Sequence, residues 1–470
     1  MTNKFFNIGI SLKELLLLVV SGGLIVYSMP VYSFSYCIFF AFVPFLIVLN
    51  GKSPIVSFRI GLITGFVTYS ILLSWFYLVF GYPAIFLFII LSLFTGIFSL
   101  IFSIICKKAG YCFALILAPF LWISIEFLKS EQWALRFGWM SVGYSVHNIE
   151  MFLNLAKFIG IYGISFLIIL INSMIVIVLT AENSKRKVTA AGIIILVFIA
   201  AFFWGKIKNP ETSSESVFCR LIQADDNFKR CLELSVSKPL PENSIVVFPE
   251  YSVWDSPKQN PELKKEISDY CKKIKSYYII GCLYFEKTKK NFFNNIALVF
   301  SPDCQITGTY KKHHPIPFFI DGEAGTDYPV FKLGNVNAGI GLCFDYDFED
   351  VARITTRKGA EILINPTYDA KKWWYIQHVQ HLYMLPFRAV ETGRYALRAA
   401  ASGITLIISP NGKIIRKSDY TGEYVIDYKT PLLKNKTFYV KYGYLFPVII
   451  QVLTGLILFS VIFFTTNSSK

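Results

Sequence analysis

The chain has 470 residues, of which 54% are hydrophobic and only 16% charged, with a mean hydropathy of +0.50. Soluble domains carry about 25% charged residues, so this composition excludes a chain bathed in water over its whole surface. The net charge of +15 comes with no zinc-finger spacing and no basic-aromatic recognition helix, which argues against nucleic acid and for a membrane surface.

Through the first 205 positions, apolar stretches close to the ~20 residues that cross a bilayer core follow one another. Spans are expected at residues 12–29, 33–50, 60–80, 84–106, 111–128, 161–180 and 189–205, with an eighth near 445–465. Hydrocarbon offers the backbone no partners, so these segments must be helical. The first does not read as a cleavable leader, because its run at 15–20 continues through Gly22 and Gly23 to Pro30 and into more apolar sequence. Charge suggests an orientation. Lys4 precedes the first span and Lys13 stands at its very start, and Lys52 and Arg59 lie between the second and third. Lys107 and Lys108 follow the fourth, and Lys185, Arg186 and Lys187 follow the sixth. The alternate loops at 30–32 and 81–83 carry no charge. The positive-inside rule then places both termini in the cytoplasm and everything between the seventh and eighth spans outside it.

The expected organisation is therefore a seven-span bundle over 1–205, a tether at 206–217 with a Ser/Thr-rich run at 211–215, a second domain over 218–440, and a closing helix within 441–470. In the second domain short β-rich runs at 244–248, 277–281, 295–300, 338–342, 361–364 and 403–408 alternate with charged, helix-like segments at 261–275 and 347–358. That alternation implies a layered α/β domain. The nine cysteines are odd in number and contain no CxxC, which indicates neither a zinc site nor a full disulfide framework. One or two disulfides among Cys219, Cys231, Cys271, Cys282, Cys304 and Cys343 stay open. His378 and His381 lack a third ligand for a metal, and no cofactor is expected.

Three places carry chemistry, each where an apolar run ends. Ile245-Val246-Val247-Phe248-Pro249-Glu250 closes on a carboxylate, whose pKa an apolar wall would raise toward general-base use. Taken alone it reads first as a loop cap. Tyr310-Lys311-Lys312-His313-His314-Pro315-Ile316-Pro317-Phe318 offers a lysine able to hold an oxyanion, or simply a solvated Lys pair. Gly339-Ile340-Gly341-Leu342-Cys343-Phe344-Asp345 puts a cysteine at a strand-to-helix turn, where a helix N-terminus and a lysine would favour thiolate. An inert buried cysteine is the plainer alternative.

The order Glu, Lys, Cys resembles the nitrilase superfamily, an αββα sandwich with that triad. Its lysine motif, Tyr-x-Lys-x-His, selects Lys312 between Tyr310 and His314. Gly359 to Pro366, Arg388 to Arg394, Ser402-Gly403-Ile404 and Ser409 to Ile414 look like further signatures of the superfamily. The apolar half is similar to the apolipoprotein N-acyltransferase family through Ala41 to Leu46, Trp75-Phe76-Tyr77, Phe137-Gly138-Trp139, Gly143-Tyr144 and Gly160 to Phe166. Gln380-His381 ahead of Arg388 agrees.

That resemblance implies a polytopic helical bundle carrying a periplasmic nitrilase-type domain in a bacterial inner membrane. It also implies a monomeric enzyme that moves an acyl chain from a phospholipid, phosphatidylethanolamine in the family, to the α-amine of a diacylated apolipoprotein. Cys343 would be the nucleophile, Glu250 the base, and Lys312 with the Phe344 N–H the oxyanion donors. The family's second glutamate falls at Ile320, so Glu323 is the expected substitute, Asp321 the second choice and Asp345 the third. Cys343-Phe344-Asp345 stands for the family's Cys-Tyr-Glu, and looks closer to soluble nitrilases. Tyr368-Asp369-Ala370 stands for Asn-Asp-Ala, and Gly443-Tyr444 for Gly-Asp. A membrane-anchored amidase or nitrilase acting on a carbon-nitrogen bond is the alternative.

Overall fold

The computed structural model of the chain describes residues 9–225, 227–286, 292–317 and 319–464, which leaves Lys4 and Phe318 outside. The chain forms two compact units, one of residues 1–207 with 444–470 and the other Lys208–Gly443.

In the first unit six helices among the described residues are long and apolar enough to cross a membrane. They are Pro54–Leu72, Pro83–Ala109, Tyr111–Gln132, Ala156–Thr180, Ser184–Gly205 and Leu445–Phe463. The two remaining expected spans are built differently. Leu12–Ser28, opened by a capping box between Ser11 and Glu14, has 17 residues. The next is divided into Ser35–Cys37, Ile38–Ala41 and Val43–Leu49, with Pro44 in the first turn of the last piece. Asn172 covers the break: its Oδ1 accepts from Phe42 N and its Nδ2 donates to Ile38 O, both at 2.9 Å. Helices Pro54–Leu72 and Pro83–Ala109 meet through small residues. A Cβ on Gly61 would sit 2.4 Å from Ser99 Oγ and 2.5 Å from Thr95 O, so a larger side chain would part the pair.

Among the described residues the second unit is built on twelve strands: β1 (Ser216–Ala224), β2 (Ile245–Val247), β3 (Tyr277–Phe285), β4 (Phe293–Phe300), β5 (Ile306–Lys311), β6 (Val330–Leu333), β7 (Val336–Ile340), β8 (Ile362–Thr367), β9 (Tyr395–Ala400), β10 (Leu406–Ile408), β11 (Ile414–Lys417) and β12 (Glu423–Pro431). They form two six-stranded sheets, in the orders β12-β1-β2-β3-β4-β5 and β11-β10-β9-β8-β7-β6. Val247, Ile279 and Ala297 of one sheet share a core with Ile340, Ile364 and Leu397 of the other. Helix Pro261–Ile274 covers the outer face of the first sheet through Ile267 and Cys271. Helices Glu349–Arg357 and Tyr375–Thr392 cover the second through Val351, Leu382 and Leu385. The result is an αββα sandwich.

The centre of each sheet is parallel: β1, β2 and β3 in one, β7, β8 and β9 in the other. Loops leaving the C-terminal ends of such strands are where α/β folds place their sites. The expected tether is not loose. Asn209 N donates to Asn411 Oδ1 at 2.7 Å, and Glu211 Oε1 accepts from Asn411 at 2.8 Å and Ser409 at 3.0 Å, which pins 208–211 to the sandwich. All nine cysteines are free thiols, so the open disulfide question closes without a bridge.

Candidate active site

Glu250 follows β2, Lys312 follows β5 and Cys343 follows β7, so three separate loops converge. Lys312 N donates to Asn295 O of β4 at 2.9 Å, which continues the ladder one step and fixes where the lysine starts. Its Nζ lies 2.8 Å from Glu250 Oε1 and 2.8 Å from Asp321 Oδ2, with all three side chains buried. Asn295 Nδ2 bridges the two carboxylates, at 2.7 Å from Glu250 and 2.8 Å from Asp321. Tyr251 OH also donates to Asp321, and Ile316 N does so at 2.8 Å. Tyr368 N donates to Glu250 Oε2 at 3.0 Å, and the Cys343 thiol points at Tyr368 O, 3.7 Å away. Cys343 has φ of 47° and Tyr251 φ of 51°, left-handed values that cost a non-glycine residue energy and often mark functional turns.

The two carboxylates on one ammonium are driven apart. Burial raises the Glu250 carboxyl, Lys312 opposes and Asp321 adds to the rise, for a net upward shift. Burial also acts to raise Asp321, but Lys312, Tyr251 and Ile316 outweigh it and hold the group below the ordinary value. Burial alone would lower Lys312; Asp321 and Glu250 together carry it well above the usual range. One carboxylate is therefore poised to exchange a proton and the other is a fixed counter-ion. The expected preference for thiolate at Cys343 is reversed. Burial first, then Glu250, hold the thiol well above its ordinary value, and the pull of Lys312 does not prevail.

The preference for Glu323 is corrected to Asp321. Gly322 has φ of 84°, and a Cβ there would meet Phe293 O at 2.8 Å, so the loop is pressed against β4 at this point. That close approach turns Asp321 inward and leaves Glu323 half exposed, 3.5 Å from Lys311. Ile320 is 83% exposed. Asp345 does not orient the lysine either. Its Oδ2 accepts from Tyr310 OH at 2.7 Å and Leu342 N at 2.8 Å, and its Oδ1 from His313 N at 3.0 Å and His314 N at 2.7 Å. Tyr310 and Asp345 thus tie the lysine loop to the cysteine loop, while His314 Nε2 reaches Asp350 at 2.8 Å. Phe344 directly follows the thiol in the 3₁₀ turn Cys343–Asp347.

Two residues given no role in the sequence complete the site. Asn295 was legible only as two adjacent amides inside an apolar strand. Asp369, after β8, accepts from His381 Nδ1 and Gln377 Nε2, each at 2.8 Å, and is paired with Arg398. Cys343, Asp369 and His381 offer ligand atoms within 4.8 Å of one another, as do His313, His314 and Asp350. The Arg398 guanidinium on Asp369 disfavours a cation at the first set. Tyr251, Trp254 and Tyr368 form an aromatic group beside the two carboxylates, with ring centres 5.2–6.4 Å apart; Trp254 is 57% exposed.

Known proteins agree with both units. Residues 21–174 match the model of the apolipoprotein N-acyltransferase N-terminal domain, and 219–432 match that of the carbon-nitrogen hydrolases. The chain is 26% identical to the apolipoprotein N-acyltransferase of Geobacter metallireducens, covering 92% of each chain. It is 24% identical to apolipoprotein N-acyltransferase 1 of Treponema denticola, over 88% of this chain and 89% of that one. A solved nitrilase-superfamily member from Saccharomyces cerevisiae is 19% identical, with a TM-score of 0.41 over 47% of this chain and 93% of its own. With both domains present in order, and relatives of that one kind matched along nearly its whole length, the chain belongs to the apolipoprotein N-acyltransferase family.

Proposed function

We propose that the enzyme moves a fatty acyl chain from a phospholipid, through a thioester on Cys343, to the N-terminal amine of a diacylglyceryl-cysteine apolipoprotein. One observation carries the chemistry: Lys312 Nζ is held at 2.8 Å by both Glu250 and Asp321. An ammonium has three N–H donors, so two are committed and the third remains for a substrate oxygen.

In the first half-reaction Glu250 takes the Cys343 proton as sulfur attacks the ester carbonyl carbon. Lys312 and the Phe344 N–H receive the oxyanion. The carbon–oxygen bond breaks, Glu250 returns the proton to the departing lysophospholipid alkoxide, and the thioester remains. In the second, the lipoprotein α-amine attacks the same carbon. Glu250 takes a proton from nitrogen and gives it to the leaving sulfur, which restores the thiol. Because the resting thiol is favoured, proton transfer to Glu250 belongs to the attack itself.

The exposed aromatic Trp254, in ring contact with Tyr251 and Tyr368, together with Phe319 and Trp374, 41% and 48% exposed, suits acyl chains better than a small amide. Phosphatidylethanolamine is the donor we infer from the family. One copy contains every group both half-reactions need, which supports a monomer. The cationic loops support a bacterial inner-membrane enzyme with both termini cytoplasmic and Lys208–Gly443 periplasmic; a phosphatase fusion at Ser214 is then active and one at Lys185 inactive. The function is tested with purified enzyme, acyl-labelled phosphatidylethanolamine and a diacylglyceryl-cysteine peptide. Label appears on the peptide amine by mass spectrometry; release of free fatty acid alone would instead support a hydrolase.

A further inference from the structure

The membrane unit contains a cavity of about 60 Å³, where one water needs roughly 10–15 Å³ on the same measure. Most of its wall is apolar, but Thr64, Thr68, Glu126 and Lys129 all line it. Each is at least nine-tenths buried. Glu126 Oε2 is committed, accepting from Val142 N at 3.0 Å and Trp122 Nε1 at 3.1 Å. Its other oxygen, Oε1, has no hydrogen-bond partner, and neither has the hydroxyl of Thr64 or Thr68. Among the described residues Lys129 Nζ has no carboxylate within ion-pair reach; it faces the rings of Tyr69 at 5.7 Å and Phe137 at 5.9 Å. Lys129 also sits in a π-helical turn, Leu128–Gln132, a widening of the helix that recurs at functional sites.

Unsatisfied polar groups are expensive inside a membrane protein, and a free carboxylate oxygen, two free hydroxyls and an ammonium with no ion pair around one cavity call for a ligand. The cation asks for an anion, the free carboxylate oxygen for a donor, and the two hydroxyls for further polar atoms. Phosphate and a primary ammonium in one small group satisfy all of these, and the aromatic wall suits the apolar remainder of a lipid. These groups lie on the helix ends remote from Lys13, Lys52, Lys107 and Lys108.

We propose that this cavity is a binding site for one glycerophospholipid whose headgroup carries phosphate and a primary ammonium, with Lys129 on the phosphate and Glu126 on the ammonium. The site requires no reaction at Cys343 and stands independently of the acyl-transfer reading. It is tested on delipidated full-length Cys343→Ala protein by native mass spectrometry, titrating phosphatidylethanolamine, phosphatidylglycerol and free phosphoethanolamine. Phosphatidylethanolamine is expected to bind with one more copy per chain than in Lys129→Met, and Lys129→Arg restores that copy. Glu126→Gln, which keeps an acceptor for Val142, is expected to lose the preference for phosphatidylethanolamine over phosphatidylglycerol by about tenfold. Equal lipid binding by all variants would show a cavity holding water alone and overturn the proposal. So would free phosphoethanolamine binding as tightly as the lipid, or failure of Lys129→Arg to restore the copy.

Discussion

The two units treat buried charge in opposite ways. In the sandwich Lys312 has two carboxylates at 2.8 Å, and Asn295 joins them from behind. In the membrane unit Lys129 faces two rings, and Glu126 leaves one oxygen without a partner. The first arrangement is complete before substrate arrives, so its binding energy need not be spent on ordering catalytic groups. The second is completed only by something that enters. The contrast separates a preorganised reaction centre from a receptor.

The sharpest break of that contrast is at the nucleophile. Cys343→Ala abolishes transfer, while Cys219→Ala and Cys282→Ala, which sit in the cores on the two faces of the first sheet, retain it in the labelled-phospholipid assay. Next comes the ammonium. Lys312→Met loses about 100-fold or more, the scale for removing an oxyanion donor, whereas Lys311→Met, whose partner Glu323 is half exposed, stays near wild type.

A smaller effect sharpens the division between the two carboxylates. Asp321→Asn slows thioester formation roughly tenfold, through the loss of a charge-assisted bond to Lys312, while Glu323→Gln does not. The sign of a pH shift follows as well. Asp321 helps to raise Glu250, and the reaction needs Glu250 ionised, so removing the Asp321 charge moves the acidic limb of kcat/KM to lower pH. A merely structural role for Asp321 would lower the rate without moving that limb.

The smallest effect concerns stability beside the site. Burial and Arg398 push His381 down, but Asp369 and Asp347 outweigh them and raise it to about 9. A folded-state pKa above the unfolded value near 6.5 gives stabilisation that is complete below about pH 6.5 and lost as pH rises through about 9. Thermal unfolding followed between those values should show that loss in wild type and a flatter profile in His381→Gln.

The cluster of Glu250, Lys312 and Cys343 was readable because apolar runs end just before Glu250 and Cys343 and each of the three keeps its neighbours' spacing. Tyr310 and His314 were readable as motif letters, but not as what they are: one ties the lysine loop to Asp345, the other reaches Asp350. Asp321 was ranked below Glu323 because side-chain length was weighed and the packing of Gly322 on β4 was not visible. The long helix Tyr375–Thr392 was missed, since Pro386 and its buried His and Gln residues hide an amphipathic period. Asn172 shows the same limit in the membrane unit, where a single amide across the bundle supports a broken helix. Glu126 and Lys129 stood at the end of an apolar run, and nothing in their spacing announced a cavity.

The most direct measurement is the intact mass of the full-length protein after incubation with phosphatidylethanolamine and no acceptor. The account predicts one added acyl mass, mapped to Cys343, removed by hydroxylamine and discharged by a diacylglyceryl-cysteine peptide. An adduct that survives hydroxylamine, one that persists in Cys343→Ala, or transfer to the peptide with no adduct formed would contradict it.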